Sequence, residues 1–207
     1  MPDFSIEEQF EGPVIGLDEV GRGPLAGPVI SCGCYFKNYT IQKEFSNFIK
    51  DSKKLSAKKK EASFKFLQSL KKEKIIDYHL GIANVEEIDA LNILEATKLS
   101  MKRVVEKFNL KNAFLIIDGN FSLNHQSYKE ESIIKGDSKS LSIAAASIIA
   151  KVHRDRLMKK LSMKYPHYGW EKNAGYGTKL HMENIHTLGP TIHHRKTFEP
   201  IKSLIHS

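Results

Sequence analysis

Cysteine is nearly absent from this chain: 207 residues hold two, Cys32 and Cys34. They lie two apart in the apolar run VISCGCYF, so in a strand both face one side. A bridge between them would be strained, and no third cysteine offers a partner. They read as reduced, buried thiols in a reducing compartment. Long hydrophobic runs are missing too. Nothing approaches the ~18 apolar residues of a bilayer-spanning helix. The opening MPDFSIEEQFEG is acidic and broken, with neither the basic nor the apolar region of a secretory leader, so the expected location is the cytoplasm. There are no repeats and no low-complexity linker. His181, His186, His193 and His194 lack the nearby cysteine and the regular spacing of a zinc site. The single tryptophan, Trp170, and its neighbour Tyr168 read as packing residues.

What is present describes a globular chain: 41% hydrophobic and 27% charged residues, enough to bury a core without staples. The formal net charge of +8 points to a polyanion, either nucleic acid or an acidic membrane surface. Lys53, Lys54, Lys58, Lys59, Lys60, Lys71, Lys72 and Lys74 form one lysine cluster, which is a solvated face unless several of them meet phosphates.

Periodicity predicts strands at Val14–Leu17, Pro28–Phe36, IIDYHLGIA, AFLIID and SIIKGD. A helix capped by Ser56 carries Phe64, Leu67 and Leu70. One or two helices follow from Asn84, with Leu94, Thr97, Met101 and Val104/Val105 as their buried face. The longest helical pattern runs from about Ser138 to Met163, with a stripe of Leu141, Ala145, Ile148, Val152 and Leu157, and Pro166 closes it. Strands alternating with helices give an α/β class, with hairpin-linked strands mixed with crossovers.

Three of the apolar runs end in acid: VIGLDE, FLIID and SIIKGD. A single Asp at a strand end is usually a turn former or a helix cap. Three in one sheet are harder to dismiss, because ligands gather at the strand ends of α/β sheets. Carboxylates on neighbouring strands, roughly 5 Å apart, repel one another unless a cation joins them. An all-oxygen ligand set suits Mg²⁺ or Mn²⁺. Neighbouring strand residues face opposite ways, so Asp18 and Glu19 share a metal only if the chain bends or ends there; Gly21, Gly23 and Pro24 supply the bend. GRGPLAG is not a dinucleotide loop, since its spacing is wrong and a strand follows it. Asp155 lies 18 residues beyond Asp137, roughly 27 Å along a continuous helix, too far to join the cluster. Its expected partner is Arg154 or Arg156, and His194-Arg195 reads as packing or pairing locally.

GLDEVGRGPLAGPV resembles the signature of the ribonuclease HII family, the type 2 ribonucleases H. DSKKLS, LNILEAT, IIDGN, KGDSKSLSIAAASIIAKVHRD, GYGT and HHRKTF resemble it too, in order, over residues 12–200. The sister type 3 enzymes have a different glycine loop and a Glu as fourth acid; GRG and Asp137 favour type 2. The resemblance implies a ribonuclease H-like fold, with a central mixed five-stranded sheet flanked by helices. The expected division is a catalytic domain over 1–165 and a helical C-terminal extension over 166–207.

The resemblance also implies an endonuclease that cuts the RNA strand of RNA–DNA hybrids and cuts at ribonucleotides embedded in duplex DNA, leaving 5′-phosphate and 3′-hydroxyl ends. Two divalent ions, Mg²⁺ or Mn²⁺, would sit on Asp18, Glu19, Asp118 and Asp137. Gly21, Arg22 and Gly23 would contact the 2′-hydroxyl through backbone groups, and Tyr176 would stack on the sugar of the next deoxynucleotide. Lys53 and Asn92 would meet the phosphate backbone. The tail FEPIKSLIHS lacks the aromatic pair of a sliding-clamp motif, so no clamp partner is expected. No membrane partner is expected either, and the chain is expected to act as a monomer. Two other readings keep the charge but change the chemistry: a non-catalytic nucleic-acid-binding module, and a resolvase- or integrase-like nuclease.

Overall fold

The apolar runs become strands that assemble into one mixed sheet. The computed structural model describes residues 1–40 and 57–206. Its strands are β1 (Val14–Val20), β2 (Val29–Phe36), β3 (Ile76–Ala83), β4 (Phe114–Asp118) and β5 (Lys129–Ile133), in the order β3-β2-β1-β4-β5. The first three pair antiparallel, while β4 and β5 run parallel to β1. Helices α1 (Ala57–Lys72), α2 (Val85–Leu91), α3 (Ile93–Val105), α4 (Leu141–Ser162), α5 (Trp170–Asn173), α6 (Lys179–Leu188) and α7 (Ile201–His206) complete it. This is the expected α/β architecture. Lys53, Lys54 and Ser56, and the side chain of Lys58, lie outside the described residues.

The period of two sorts each strand between two cores. Ile15 and Leu17 of β1 face α3, packing on Met101, Val104 and Val105. Cys32 and Cys34 of β2 face the other way, toward Phe64 of α1 and Ala145 and Ile149 of α4. Both thiols are buried and unbridged. Two glycines let the helices lie close: a Cβ on Gly16 would come 2.5 Å from the Ile143 amide of α4, and one on Gly81 would come 1.9 Å from the Ser100 carbonyl of α3. Ser31 and Ser100 hydrogen-bond across that second contact at 2.5 Å.

Three expectations need correction. β5 ends at Ile133, not at Asp137. Lys135 adopts a left-handed conformation (φ 56°), and Asp137 falls in a 3₁₀ turn, Gly136–Ser138. The long helix begins at Leu141, capped by Ser140, whose Oγ accepts from the Ile143 amide. Its buried surface is no stripe: in its first ten residues only Ser147 escapes full burial, because the helix is enclosed by the sheet and by α1. Asp155 pairs with Lys151 at 2.7 Å, one turn back on the same helix, while Arg156 reaches Glu61 and Arg154 turns inward.

The C-terminal helices gather around Trp170, Tyr168, Ile185 and Ile201, packed on Leu25, Ala26 and Met158. Trp170 and Tyr168 are core residues, as their composition predicted. No helix among the described residues is long and apolar enough to cross a membrane.

Candidate active site

The sheet brings the first two acids together by register. The parallel β1–β4 ladder closes with Leu17 opposite Ile117, so Asp18 and Asp118 are the next residues on two adjacent strands, and Asp118 is the last of β4. β1 itself does not end there. It pairs with β2 as far as Val20–Ile30, so the turn at Gly21 (φ 96°) comes after both acids and not between them. Loss of β4 as a neighbour, and not a break in the strand, opens the space beside Asp18 and Glu19.

The third strand-end acid arrives by a different route. The Gly136 amide donates to Oδ1 of Asp118 at 2.7 Å, which tethers the 3₁₀ turn carrying Asp137 to the end of β4. A side chain at Gly136 would collide with Ile143 at 2.6 Å, so the turn also depends on close approach to α4. Asp137 is buried there. The start of α4 is fixed by Glu7, whose Oε1 accepts from Ser140 Oγ at 2.6 Å and from the Ser142 amide at 2.9 Å.

The electrostatics are those of buried carboxylates held close together. Asp18 is 5% exposed. Burial first, and then the charges of Glu19 and Asp118, push its carboxyl well above the ordinary range, against hydrogen bonds from Ser147 and the Glu19 amide. Burial also raises Glu19; Arg22 opposes that shift, and Asp118 adds to it. Arg22 meets Glu19 Oε1 at 3.3 Å, but Oε2 of Glu19 is buried and accepts no hydrogen bond. A buried, orphaned carboxylate oxygen in an all-oxygen donor set fits a hard divalent cation. Among the described residues no three Asp, Glu, His or Cys side chains stand together as a ready ligand set.

A groove of about 350 Å³ opens beside Glu19 and runs between Lys60 of α1, Ser147 and Lys151 of α4, and Tyr176. Tyr176 is 50% exposed. It also borders the glycine loop, since a Cβ on Gly23 would lie 3.5 Å from its ring. The structure thus places Asp18, Glu19, Asp118, the turn carrying Asp137, the Gly21–Gly23 loop and Tyr176 at one end of the sheet. Asn92 belongs elsewhere: it joins α2 to α3 at φ 72°, and its Oδ1 caps α3 by accepting from the Leu94 and Glu95 amides. Lys53 lies outside the described residues.

Sequence reasoning passed over Ser147 and Lys151, although a lone serine in the run AAASIIA is a visible signal, and it placed Lys60 only within the wider lysine cluster. It also misjudged the two arginines that hold the glycine loop. Arg154 donates to the carbonyls of Pro28 (3.0 Å), Ala26 (2.9 Å) and Ala174 (2.8 Å). Arg195 donates to those of Gly27, Arg22 and Gly21. Both are fully buried, and burial pulls both below the usual arginine range. Arg195 is no local pairing residue: its acceptors lie more than 160 positions away in the chain.

Residues 15–200 match the family model described as Ribonuclease HII. The chain belongs to the ribonuclease HII family. A ribonuclease HII of Wolbachia pipientis subsp. Culex pipiens is 49% identical, over 98% of each chain. Of solved structures, the RNase HII of Archaeoglobus fulgidus, seen in a complex with PCNA, aligns with a TM-score of 0.73 at 23% identity, covering 90% of this chain and 95% of that one. Bst-RNase HIII with Mn²⁺ aligns at 0.70 and 18% identity, covering all of this chain and 73% of that one. These two likenesses support the fold. Family membership makes the protein a metal-dependent ribonuclease H, an endonuclease that degrades the RNA of RNA–DNA hybrids.

Proposed function

We propose that the protein also cleaves at ribonucleotides embedded in duplex DNA, leaving 5′-phosphate and 3′-hydroxyl ends, with Asp18, Glu19, Asp118 and Asp137 as ligands of two divalent ions, Mg²⁺ or Mn²⁺. The observation that carries this is the convergence of Asp18 and Asp118 beyond the last β1–β4 pair, with the turn of Asp137 tethered to Asp118. Bound divalent ions supply Lewis acidity to the attacking water and to the departing 3′ oxygen. The four acids would hold the cations. Arg22 keeps Glu19 aimed at the pocket through their 3.3 Å contact.

Backbone groups of Gly21, Arg22 and Gly23 read the 2′-hydroxyl, the group that separates RNA from DNA. Tyr176, beside that loop, stacks on the sugar of the following deoxynucleotide and so reads the RNA-to-DNA junction. Lys60 and Lys151 line the path the backbone takes past Tyr176. Lys53 and Asn92 serve as phosphate contacts, and the chain acts as a monomer. The test is strand scission of a duplex with one ribonucleotide, beside an all-DNA duplex, with Mg²⁺ or Mn²⁺ and with EDTA. Cleavage of the first alone, lost in EDTA, is the expected result. Cleavage of both duplexes, or cleavage that survives EDTA, refutes the reading.

A further inference from the structure

A buried arginine normally faces a carboxylate or phosphate. Among the described residues no carboxylate pairs directly with Arg195. Its guanidinium donates to three backbone carbonyls: Nη1 to Arg22 at 2.8 Å, Nη2 to Gly21 at 2.5 Å and to Gly27 at 2.8 Å, and Nε to Gly27 at 3.0 Å. The Phe198 ring covers the guanidinium, with Cζ 4.9 Å from the ring centroid, and so holds the fork in its plane. The loop is gripped from outside as well. The Leu25 amide donates to Gly175, the Arg195 amide to Leu25, and the Gly27 amide to His193.

The peptide plane carries this grip to the far side of the loop. In a trans peptide the C=O and the N–H point in opposite directions. The Gly21 carbonyl shares its plane with the Arg22 amide, and the Arg22 carbonyl shares its plane with the Gly23 amide. When Arg195 draws both carbonyls toward itself, both N–H groups point away from it; Tyr176 borders the same loop, 3.5 Å from a Cβ built on Gly23. Among the described residues neither amide donates to another protein group.

We propose that Arg195 is a positioning residue for ribose recognition: it holds the Gly21 and Arg22 carbonyls so that the Arg22 and Gly23 amides are aimed, as a fixed pair of donors, at the substrate's 2′-hydroxyl. This rests on the reading of Gly21–Gly23 as the loop that senses that hydroxyl. Arg154 extends the same frame. It ties Ala26 and Pro28 of the loop to Ala174, two residues before Tyr176, so hydroxyl sensor and stacking ring move as one unit. Lysine keeps the charge, but its donors radiate from one atom and cannot span the three carbonyls.

The test is the affinity of wild type and Arg195→Lys for two duplexes that differ only in one ribose 2′-hydroxyl, measured without divalent metal. The expected outcome is a wild-type preference for the ribose duplex that falls to within about twofold of parity in the variant, while affinity for the all-DNA duplex is kept. A merely structural role would weaken both duplexes alike. A variant that keeps the preference, or loses both duplexes equally, overturns the clamp alone; a wild type with no preference overturns the sensor reading and the clamp with it. Should Arg195→Lys fail to fold, wild-type amide resonances decide: those of Arg22 and Gly23 shift with the ribose duplex and not with its deoxy counterpart. Amides indifferent to both duplexes contradict the proposal.

Discussion

The Gly136 amide and Oδ1 of Asp118, 2.7 Å apart, join the turn before α4 to the end of β4. The turn that carries Asp137 is therefore held against Asp118, 19 positions earlier in sequence, although only Asp118 lies on a strand. Asp118→Asn keeps the size of the side chain and can still accept from Gly136, so the fold should survive. Cleavage of the one-ribonucleotide duplex should fall by roughly a hundredfold or more, as expected when a metal centre is impaired. Affinity for the duplex should change little. Single-turnover cleavage beside a binding isotherm measures both.

Asp18 should cost the metal-free protein stability. Its carboxyl is raised by burial and by Glu19 and Asp118. The folded state therefore holds the proton more tightly than the unfolded state, and stability falls as pH rises from the ordinary carboxylate value of ~4 toward the raised one, then levels off. In EDTA at neutral pH, Asp18→Asn should melt higher than wild type, by roughly 2–4 °C for each kcal/mol of relieved repulsion. Below pH ~4 the gain should vanish. Added Mn²⁺ should stabilise wild type and leave the variant unmoved. Thermal unfolding across pH, with and without the ion, reads all of this.

The buried histidines should make the fold acid-sensitive. His181 Nδ1 meets the Tyr176 carbonyl at 2.8 Å, and its Nε2 accepts from Trp170 Nε1 at 3.0 Å and lies 3.0 Å from His194 Nε2. The Thr191 amide donates to His194 Nδ1. Every contact is satisfied only when both rings are neutral. Burial, then His181, lowers His194 to about 4, and burial lowers His181 as well. Their contribution is whole above pH ~6.5 and is lost as pH falls through the folded value. Melting temperature should drop steeply between those limits. His194→Asn should lower it at neutral pH and flatten the slope.

Lys60 and Lys151 line the groove beside Tyr176. Lys60→Gln or Lys151→Gln should weaken duplex affinity a few-fold, equally for ribose and all-DNA duplexes. Each should reduce the salt slope of log Kd by about one, the signature of one lost phosphate contact. Titrations at several salt concentrations separate this from a loss of fold.

The strands and the acids were legible because burial writes itself into period and composition: VIGL, FLII and the apolar run of β2 can be read directly. SIIKGD misled because two isoleucines suggest a strand, whereas the left-handed Lys135 breaks it before Asp137. The α4 stripe was too narrow an expectation, because a helix enclosed on several sides has no face to advertise. Arg154 and Arg195 were the least legible. Their acceptors are backbone carbonyls remote in sequence, and a carbonyl leaves no residue type to recognise.

The most direct test is a crystal of the protein with a one-ribonucleotide duplex and Mn²⁺, with anomalous data collected at the manganese edge. Two manganese peaks should appear, within ~2.2 Å of carboxylate oxygens from Asp18, Glu19, Asp118 and Asp137. Manganese bound at other residues, with those four side chains contacting no ion, would contradict the account.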